Sequence, residues 1–439
     1  MKIRNSILPR FFDRMTAFFT FIGWVGMAII STAIPWLMSS AHALPSYARQ
    51  TGEDCGSCHV GSFGPQLTPH GIRFKLEGYT DSDSKSGKVP LSGMVVGTFT
   101  HTRKGQDPAP DHFSSNDNTV LQEASVFLAG GLTEHLGTFV QATYSDVDRH
   151  FVFDHMDVRY AHSLQLAGAD TILGISVNNL PTVQDPFNTL PAWGFPFTSS
   201  ALAPAPGSSS LLSGGFDHQA LGMTVYGLWD NHFYAEVGGY RTLSNRIQSD
   251  LSVGGAGSDH IYGFAPYGRL AYFKDLRKEA YSFGLVGFSA DVEPGGVGGV
   301  MDKYRDLGID ASYQFLGDRR HVMSFQGSLI HETQTLNATD AADPKGHLNQ
   351  LDLAVSYYHN RTYGISLKEF DINSSRADSD SRGTVLQADW TPFGKEESWG
   401  APWANLRLGL QYTLYNKFDG TSDNAGNNNT LMAFVWTAF

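Results

Sequence analysis

From Pro90 to the C-terminus, apolar and polar residues alternate along the chain with a period of two. In LDLAVSY, for example, Leu351, Leu353 and Val355 fall on one face, and Asp352 falls on the other. LRLGLQYTL and YGISLK repeat the alternation. This pattern is typical of strands with one apolar face. Soluble β-sandwiches and membrane β-barrels both contain such strands, so the pattern predicts an all-β region and leaves these two folds open.

The number of strands and the lengths of the links between them distinguish the two folds. We expect sixteen strands, which begin near residues 91, 120, 137, 152, 170, 220, 232, 261, 280, 304, 321, 348, 362, 383, 404 and 430. Long links are expected at 104–118, 182–219, 244–259, 292–303, 333–347, 372–383 and 418–430. Most other links, such as WDN and HNR, are short, so that long and short links alternate along the chain. Two links break this alternation: the link near 146–150 is short where a long one is expected, and the link at 393–405 is longer where a short one is expected. An even number of strands with long loops at one end and tight turns at the other is typical of transmembrane β-barrels.

The C-terminal end of the chain supports the same fold. LMAFVWTAF is a strand that ends in Phe439, and it resembles the recognition signal for outer-membrane barrel assembly. After the N-terminal region there is no apolar run of about 18 residues, which excludes membrane-spanning helices there. The sequence therefore predicts a transmembrane outer-membrane β-barrel of about sixteen antiparallel strands over residues 90–439. Both termini would lie in the periplasm, and the long links would lie outside the cell.

The N-terminal region resembles an export signal. Four basic residues within the first 14 positions precede an uncharged apolar run, and Ala-His-Ala follows at residues 41–43. Small residues in this arrangement are typical of a signal-peptidase site. A retained membrane helix is the alternative, because the run is long enough to span a bilayer. We expect residues 1–43 to be a cleaved signal peptide.

Composition and charge narrow the choice of partners. Charged residues make up 17% of the chain, below the average of about 25% for soluble proteins. The 47 glycines and 13% aromatic residues suit many strands joined by glycine-containing turns. The net charge of −12 argues against a nucleic-acid partner, which would require a basic face.

The only two cysteines of the chain stand in the segment EDCGSCH, residues 53–59. After export, Cys55 and Cys58 could form a disulfide, although so short a loop constrains the unfolded chain little. A zinc site would need more ligands than the segment offers. The spacing Cys-x-x-Cys-His is typical of covalent c-type haem attachment. We therefore expect one haem c, with thioether bonds at Cys55 and Cys58 and with His59 as the proximal axial ligand of the iron.

Three residues are candidates for the second axial ligand. Met94, in VPLSGMVVG, is the first, His70 is the second and His101 is the third. A thioether ligand raises the reduction potential relative to a second imidazole, so the choice affects function. The sequence leaves this choice open.

The predicted cytochrome segment, residues 44–89, is too short to cover a haem by itself. A domain below about 40 to 50 residues rarely buries enough surface to fold alone. One short helix, expected over residues 66–77 and ended by Gly78, gives a porphyrin little cover. A barrel of about sixteen strands encloses an aqueous lumen. We therefore expect the segment to be a small plug at the periplasmic mouth or inside the lumen, where side chains of the barrel complete the haem pocket.

The run ALPSYARQTGEDCGSCHVGSFGPQLTPHGIRFKLEGYT resembles the N-terminus of the fused monohaem cytochrome–porins. The best-described members of this family are outer-membrane iron oxidases of iron-oxidising bacteria. The resemblance rests on Ala-x-Pro-x-aromatic-Ala-Arg-Gln before the haem motif and on a set of residues behind it, namely Pro65, Leu67, Gly71, Phe74, Lys75, Gly78 and Tyr79. Over the barrel the resemblance is architectural. It implies that electrons cross the outer membrane through a single haem.

Three functions remain open at this point. The first is an Fe(II)-oxidising cytochrome c: extracellular Fe(II) donates an electron to the haem, and a periplasmic cytochrome or copper protein collects it. Acidic loop residues such as Asp107, Asp111 and Asp380 could concentrate cations by their field. The second is a diffusion porin whose haem plug is structural or gating. The third is an electron conduit for a different donor or acceptor. All three place the chain in outer-membrane lipid, and only the first would make it an enzyme.

Overall fold

The structure, a computed structural model, describes residues 44–439 except 86–87, 195, 217, 297, 377, 396–397, 399 and 401–402. The signal peptide expected over residues 1–43 lies outside the described residues. Sixteen long antiparallel strands form one closed sheet, in which each strand pairs with its neighbours in the chain. The first strand also pairs with the last, so that Met94 lies opposite Ala438. The predicted all-β barrel is confirmed.

The strands have bounds close to those predicted. In chain order they are β1 (Leu91–Thr102), β2 (Asn118–Gly131), β3 (Leu136–Ser145), β4 (His150–Leu166), β5 (Ala169–Asn178), β6 (Ala220–Trp229), β7 (Phe233–Thr242), β8 (Ala265–Asp275), β9 (Glu279–Glu293), β10 (Asp302–Phe315), β11 (His321–Leu336), β12 (Lys345–His359), β13 (Tyr363–Ser374), β14 (Ser381–Trp390), β15 (Asn405–Lys417) and β16 (Thr430–Ala438). The largest difference concerns β8, which was expected near residue 261. There a two-residue strand, His260–Ile261, pairs with the end of β9, and the chain leaves the sheet before β8 begins.

The outward-facing side chains of the barrel form an apolar belt. Leu173 on β5, Val225 on β6 and Ile365 on β13 are 42%, 53% and 64% exposed. Near the strand ends, exposed aromatic residues such as Trp229 and Trp390 accompany them. An apolar band with aromatic residues at its margins is what a barrel presents to lipid. The outward face is therefore suited to the hydrocarbon core of a membrane.

As predicted, the long loops lie at one end of the barrel and the tight turns lie at the other, and the two predicted exceptions are also observed. One end has tight turns such as 167–168 and 230–232, whereas the other end carries long loops. The short link 146–149 lies on the long-loop side, and the longer link 391–404 lies on the tight-turn side. Because long loops of such barrels face the outside, we assign the long-loop end to the extracellular side and both described chain ends to the periplasmic side.

The longest link, residues 179–219, differs from the expectation. It was predicted to lie outside the cell, but it folds back into the lumen. Its apolar residues Leu190, Leu212 and Phe216 are 1% to 2% exposed and pack against inward-facing residues of β8 and β9. The difference has a simple physical cause, since these side chains lose contact with water only inside the barrel.

Four α-helices occur in the described part of the chain: α1 (Pro45–Thr51), α2 (Cys55–Cys58), α3 (Pro69–Leu76) and α4 (Asn245–Asp250). The helix predicted over residues 66–77 is confirmed as α3. It begins later than expected because Thr68 caps it, with its side chain accepting from Gly71 N. No helix among the described residues is long and apolar enough to cross a membrane.

Candidate functional site

The described part of residues 44–89, here called the plug, lies inside the lumen, where polar residues of the barrel wall hold it. The hydrogen bonds that join the plug to the wall are Tyr79 Oη to Asp157 Oδ2 (2.7 Å), Tyr226 Oη to Leu76 O (2.7 Å), Gln314 Nε2 to Leu67 O (2.8 Å), Gln66 Nε2 to Ser324 Oγ (2.5 Å) and Asn405 Nδ2 to Ser62 O (2.8 Å). The wall residues belong to β4, β6, β10, β11 and β15. Since these strands are spread around the barrel, the plug is held from several sides.

The Cys-x-x-Cys-His segment forms one helical turn, α2, which Asp54 positions. The Asp54 carboxylate caps the helix by accepting from Ser57 N at 2.8 Å. It also accepts from Arg361 Nη1, in the turn between β12 and β13, at 2.8 Å. Aspartate is among the preferred residues at a helix N-terminus, because it satisfies otherwise unpaired N–H groups. One side chain therefore both shapes the turn and fastens it to the barrel.

The two cysteines are free thiols in the structure. Being three positions apart, Cys55 and Cys58 lie on the same side of the helical turn. Cys55 Sγ accepts from Asn405 Nδ2 at 3.3 Å. Burial, aided by the nearby Glu53 carboxylate, raises the pKa of Cys58 to about 12. The Cys58 thiol is therefore protonated at neutral pH.

His59 follows α2 directly and presents a neutral imidazole. Burial lowers its pKa to about 4, so the ring carries no charge at neutral pH. Its Nδ1 atom is buried and has no hydrogen-bond partner among the described residues. A buried ring nitrogen without a partner is costly unless something binds it. Neutral imidazole is also the form in which histidine binds metals.

Close contact between α2 and α3 fixes the backbone around this segment. Cys58 O accepts from Thr68 N at 2.9 Å, and His59 pairs with Leu67 in a short antiparallel bridge. A Cβ atom added to Gly71 would lie 2.3 Å from Cys58 O. Only glycine therefore allows α3 to cross so near to the end of α2.

A cavity of about 750 Å³ starts at Cys58 and His59 and continues along the lumen wall. Near the plug its wall is apolar and aromatic, and it includes Phe63, Leu67, Phe74, Phe127, Phe139, Trp193 and Trp436. On β16 the lining residues extend from Ala438 at the periplasmic end to Thr430 at the extracellular end. At roughly 3.3 Å per residue, this is about 26 Å of strand. Because strands of such barrels tilt by about 35–45°, the cavity covers about 20 Å of a hydrocarbon core roughly 30 Å thick.

The structure separates the three candidates for a second axial ligand. Met94, 7% exposed, lines the same cavity as His59. His70 Nε2 lies 2.7 Å from Glu53 Oε2. His101 Nδ1 lies 2.6 Å from Asp117 Oδ1 near the extracellular end of β1. Of the three, Met94 is the one that the fold brings to the cavity of His59. Its role as a ligand stays a prediction.

Sequence reasoning missed the part of the site that the link 179–219 supplies. Trp193 lies over Lys75 Nζ, 5.1 Å from the ring centroid. Lys75 Nζ donates to Val183 O at 2.7 Å and to Asp185 O at 3.0 Å. Burial, followed by the charge of Arg159, lowers the pKa of Lys75 to about 7. No local pattern in this link indicates that it would return to the plug, because its role depends on side chains distant in sequence.

The residues around the cavity fit a haem c. Two thiols lie on one helical turn, a buried imidazole nitrogen lies beside them, and an aromatic wall faces both. Cys55 and Cys58 could hold the porphyrin, and His59 could bind its iron. Glu53, Cys58 and His70 also bring three ligand atoms within 4.8 Å of one another. That set includes the thiol that a haem c would use, so the two kinds of occupant exclude each other.

The fold and the lumen define a porin-like β-barrel of the outer-membrane type, with a folded plug inside. No protein-family model matches the chain, and no curated protein matches it. Among solved structures, the chain is similar to Pseudomonas putida OprB (12% identity, TM-score 0.49, covering 80% of this chain and 94% of that one). It is also similar to the outer-membrane channel DcaP of Acinetobacter baumannii (12%, TM-score 0.48, 81% and 99%) and to an anion-selective porin from Comamonas acidovorans (13%, TM-score 0.44, 79% and 98%). At such identities and TM-scores the similarity carries no argument, and the fold rests on the strand pairing described above.

Proposed function

We propose that this chain carries electrons across the bacterial outer membrane through one haem c held at Cys55, Cys58 and His59. The observation that supports this most is the position of the Cys-x-x-Cys-His turn at one end of a cavity that extends along the lumen. When bound, a haem c supplies a one-electron acceptor and donor. The plug would lie on the periplasmic side, and the lumen wall would complete its pocket.

The residues of the chain would have four roles. Cys55 and Cys58 hold the group in place, and His59 offers a neutral nitrogen to the iron. The aromatic part of the cavity wall would pack against the faces of the porphyrin. Met94 lies on the same cavity and is the candidate for the second axial position, where a thioether would raise the potential.

The donor that we propose is extracellular Fe(II), and the acceptor is a periplasmic cytochrome or copper protein. This choice follows the resemblance of the N-terminal segment to fused monohaem cytochrome–porins. It is also physically reasonable, because poorly soluble Fe(III) would then form outside the cell. In this role the protein would be an Fe(II)-oxidising oxidoreductase.

Stopped-flow absorbance of the purified, haem-loaded chain in nanodiscs tests the proposal. Anaerobic mixing with Fe(II) should reduce the haem in a single phase, and dithionite serves as the positive control. Reduction by dithionite without reduction by Fe(II) would leave a conduit with another donor. A protein that carries no covalent haem after expression with a c-type maturation system would refute the conduit altogether. The Cys55→Ala/Cys58→Ala variant is the matched control for covalent attachment, measured as intact mass.

A diffusion porin is the second candidate, and the porin-like barrel with its continuous cavity favours it. In a planar bilayer such a protein would show steady single-channel conductance that survives in the Cys55→Ala/Cys58→Ala variant. For an electron conduit we expect no stable conductance, because the plug and the link 179–219 both occupy the lumen.

A further inference from the structure

We infer that three neighbouring periplasmic turns form a docking surface for the acidic face of a soluble one-electron carrier. The turns are residues 276–278, 316–320 and 360–362, which join β8 to β9, β10 to β11 and β12 to β13. Together they are here called the basic ledge. Its role in passing on electrons rests on the proposed function, whereas the binding surface itself does not.

The basic ledge is positively charged in a chain that is negative overall. Its 11 residues include five basic residues and one acidic residue, Asp318, although the whole chain has a net charge of −12. The basic residues are Arg277, Lys278, Arg319, Arg320 and Arg361. The adjoining strand ends add Lys274, Asp275 and Glu279, so the balance stays positive. A local concentration of one sign of charge attracts a partner of the opposite sign.

Hydrogen bonds between the turns make the basic ledge continuous. Lys278 O accepts from Leu316 N at 2.7 Å and from Gly317 N at 3.0 Å, which joins the first turn to the second. Arg320 O accepts from Asn360 N at 2.7 Å, which joins the second turn to the third. The three turns therefore present their charges as one surface.

Three of the basic side chains are available to a partner. Arg277, Lys278 and Arg320 are exposed, and none of them forms an ion pair within the described part of the chain. The nearby carboxylates bond to the backbone instead, since Asp275 Oδ1 accepts from Arg277 N at 2.7 Å. In the same way, Asp318 Oδ1 accepts from Arg320 N at 3.0 Å. Exposed charges of this kind determine how fast a partner of opposite charge associates.

The basic ledge also contacts the plug on both sides of the Cys-x-x-Cys-His segment. Arg361 Nη1 donates to Asp54 Oδ2 at 2.8 Å, and a Cβ atom added to Gly56 would lie 3.0 Å from the Arg361 side chain. Beyond the segment, Val60 packs with Leu316 in one buried apolar cluster. A carrier bound to the ledge would therefore lie beside the residues that we propose to hold the haem.

The contacts with the plug favour a soluble protein over membrane lipid as the occupant. Anionic lipid headgroups also attract basic residues, but they surround the outside of a barrel. The basic ledge instead borders the mouth of the lumen, where Arg361 and Leu316 contact the plug. Transient electron-transfer partners need only a small interface, below about 1,200 Å², which is suited to three turns and the adjoining plug.

Binding of soluble cytochromes to the haem-loaded chain, held in nanodiscs of neutral lipid, tests the surface. Two monohaem cytochromes c serve as probes, one with an acidic surface and one with a basic surface. We expect the acidic probe alone to bind, and we expect added salt to weaken its binding. The variant Arg277→Gln/Lys278→Gln/Arg320→Gln, here called the ledge variant, should weaken this binding by about tenfold at low salt.

A matched control removes the same types of charge from the other end of the barrel. Lys104→Gln/Arg241→Gln/Arg246→Gln replaces one lysine and two arginines at exposed positions near the extracellular ends of the strands. Both ends of the barrel are accessible in a nanodisc, so the control also identifies the end to which the probe binds. Equal weakening in the control and the ledge variant would overturn the inference, as would equal binding by the wild type and the ledge variant.

Stopped-flow electron exchange then separates the surface from the proposed function. The chain, reduced and freed of dithionite, is mixed with the oxidised acidic probe, so that ferrous haem in the chain loses one electron and ferric haem in the probe gains it. The ledge variant should slow this exchange about tenfold with an unchanged haem spectrum. Equal rates in the wild type and the ledge variant would overturn the docking surface and leave the conduit standing.

Two further outcomes are distinguishable. Binding that depends on the ledge without any electron exchange would support the surface and refute the conduit. Vesicles of phosphatidylglycerol test lipid as the occupant. If the ledge variant loses affinity for these vesicles and keeps its affinity for the acidic probe, the ledge binds lipid and the inference is overturned.

Discussion

The contact between α2 and α3 makes Gly71 a sensitive position for the whole plug. In a Gly71→Ala variant the new methyl group would lie 2.3 Å from Cys58 O and 3.0 Å from Leu67 Cδ2. An ordinary contact is 3.4 Å or longer, so the two backbone segments must separate by about 1 Å. Cys58 O is backbone, and no rotamer change can relieve the overlap.

The energetic cost follows from this displacement. Overpacking of a filled interior costs about 1–3 kcal/mol. A shift of about 1 Å would also break the 2.9 Å hydrogen bond from Thr68 N to Cys58 O, which contributes about 0.5–1.5 kcal/mol. Each 1.4 kcal/mol is a factor of about ten, so the ratio of docked to undocked plug should fall by roughly 10-fold to 1,000-fold.

Limited proteolysis and planar-bilayer conductance measure this change. We expect cleavage within the plug and unstable conductance in Gly71→Ala, with the barrel itself intact. Gly268→Ala is the control, because the nearest atom to a Cβ there is Glu236 O at 3.8 Å. Haem content per chain is measured in both variants, because loss of haem attachment must be distinguished from release of the plug from the lumen. If Gly71→Ala resembles Gly268→Ala in protease resistance and conductance, the inferred role of the α2–α3 contact is wrong.

Three further changes test other parts of the site. Met94→Leu conserves volume and should cost less than about 1.5 kcal/mol; if Met94 binds the iron, spectroelectrochemistry will show a lower haem potential, and an unchanged potential excludes it. Asp54→Ala removes a helix cap worth about 0.5–2 kcal/mol together with the bond to Arg361, whereas Asp54→Asn keeps a cap, so protease resistance of the plug should fall more in the alanine variant. Lys75 has a pKa lowered from 10.5 to about 7, so its buried charge destabilises the fold below pH 7 and this cost is relieved as the pH rises from 7 to 10.5. Carbon-13 NMR of labelled lysine should show one resonance that titrates near 7 and is lost in Lys75→Arg.

The barrel was predictable from the sequence because its signals are local. Alternation places Leu353 and Ile365 on an apolar face, and both are exposed on the outside of the barrel. The lengths and order of the links assigned each link to the correct end of the barrel, including the short link at 146–149. Each predicted strand start lies within four residues of the observed one. The apolar–polar period and the lengths of the turns depend on residues close together in the chain, so a single amino-acid sequence is enough to predict them.

The interior was less predictable, because contacts between distant residues determine it. The helices α1 and α2 have seven and four residues, too few to be stable without tertiary contacts. Residues 179–219 carry no periodicity that distinguishes an outer loop from one inside the lumen. Trp193 could not be assigned to the site by spacing, since its partner Lys75 is far away in the chain.

Three buried arginines on the barrel wall explain why the lumen is filled. Arg159, Arg269 and Arg407 each pair with an aspartate at 2.8 to 3.0 Å, and none of the three side chains is exposed. Each of the three also contacts the inserted link: Arg159 Nη2 donates to Gln184 O, Arg269 Nη2 donates to Thr189 Oγ1 at 3.2 Å and lies 3.3 Å from Asp185 Oδ1, and Arg407 Nη2 donates to Pro196 O at 2.8 Å.

These contacts bind the inserted link to the wall through charges that are expensive to expose or to leave unpaired. A hydrogen bond to a charged group contributes about 1.5–3 kcal/mol, so the link would lose several such contributions on leaving the lumen. In a solute channel an inserted link would narrow the lumen, and in an electron carrier the same link would pack around the cofactor. Single-channel conductance of the wild-type chain therefore separates the two functions.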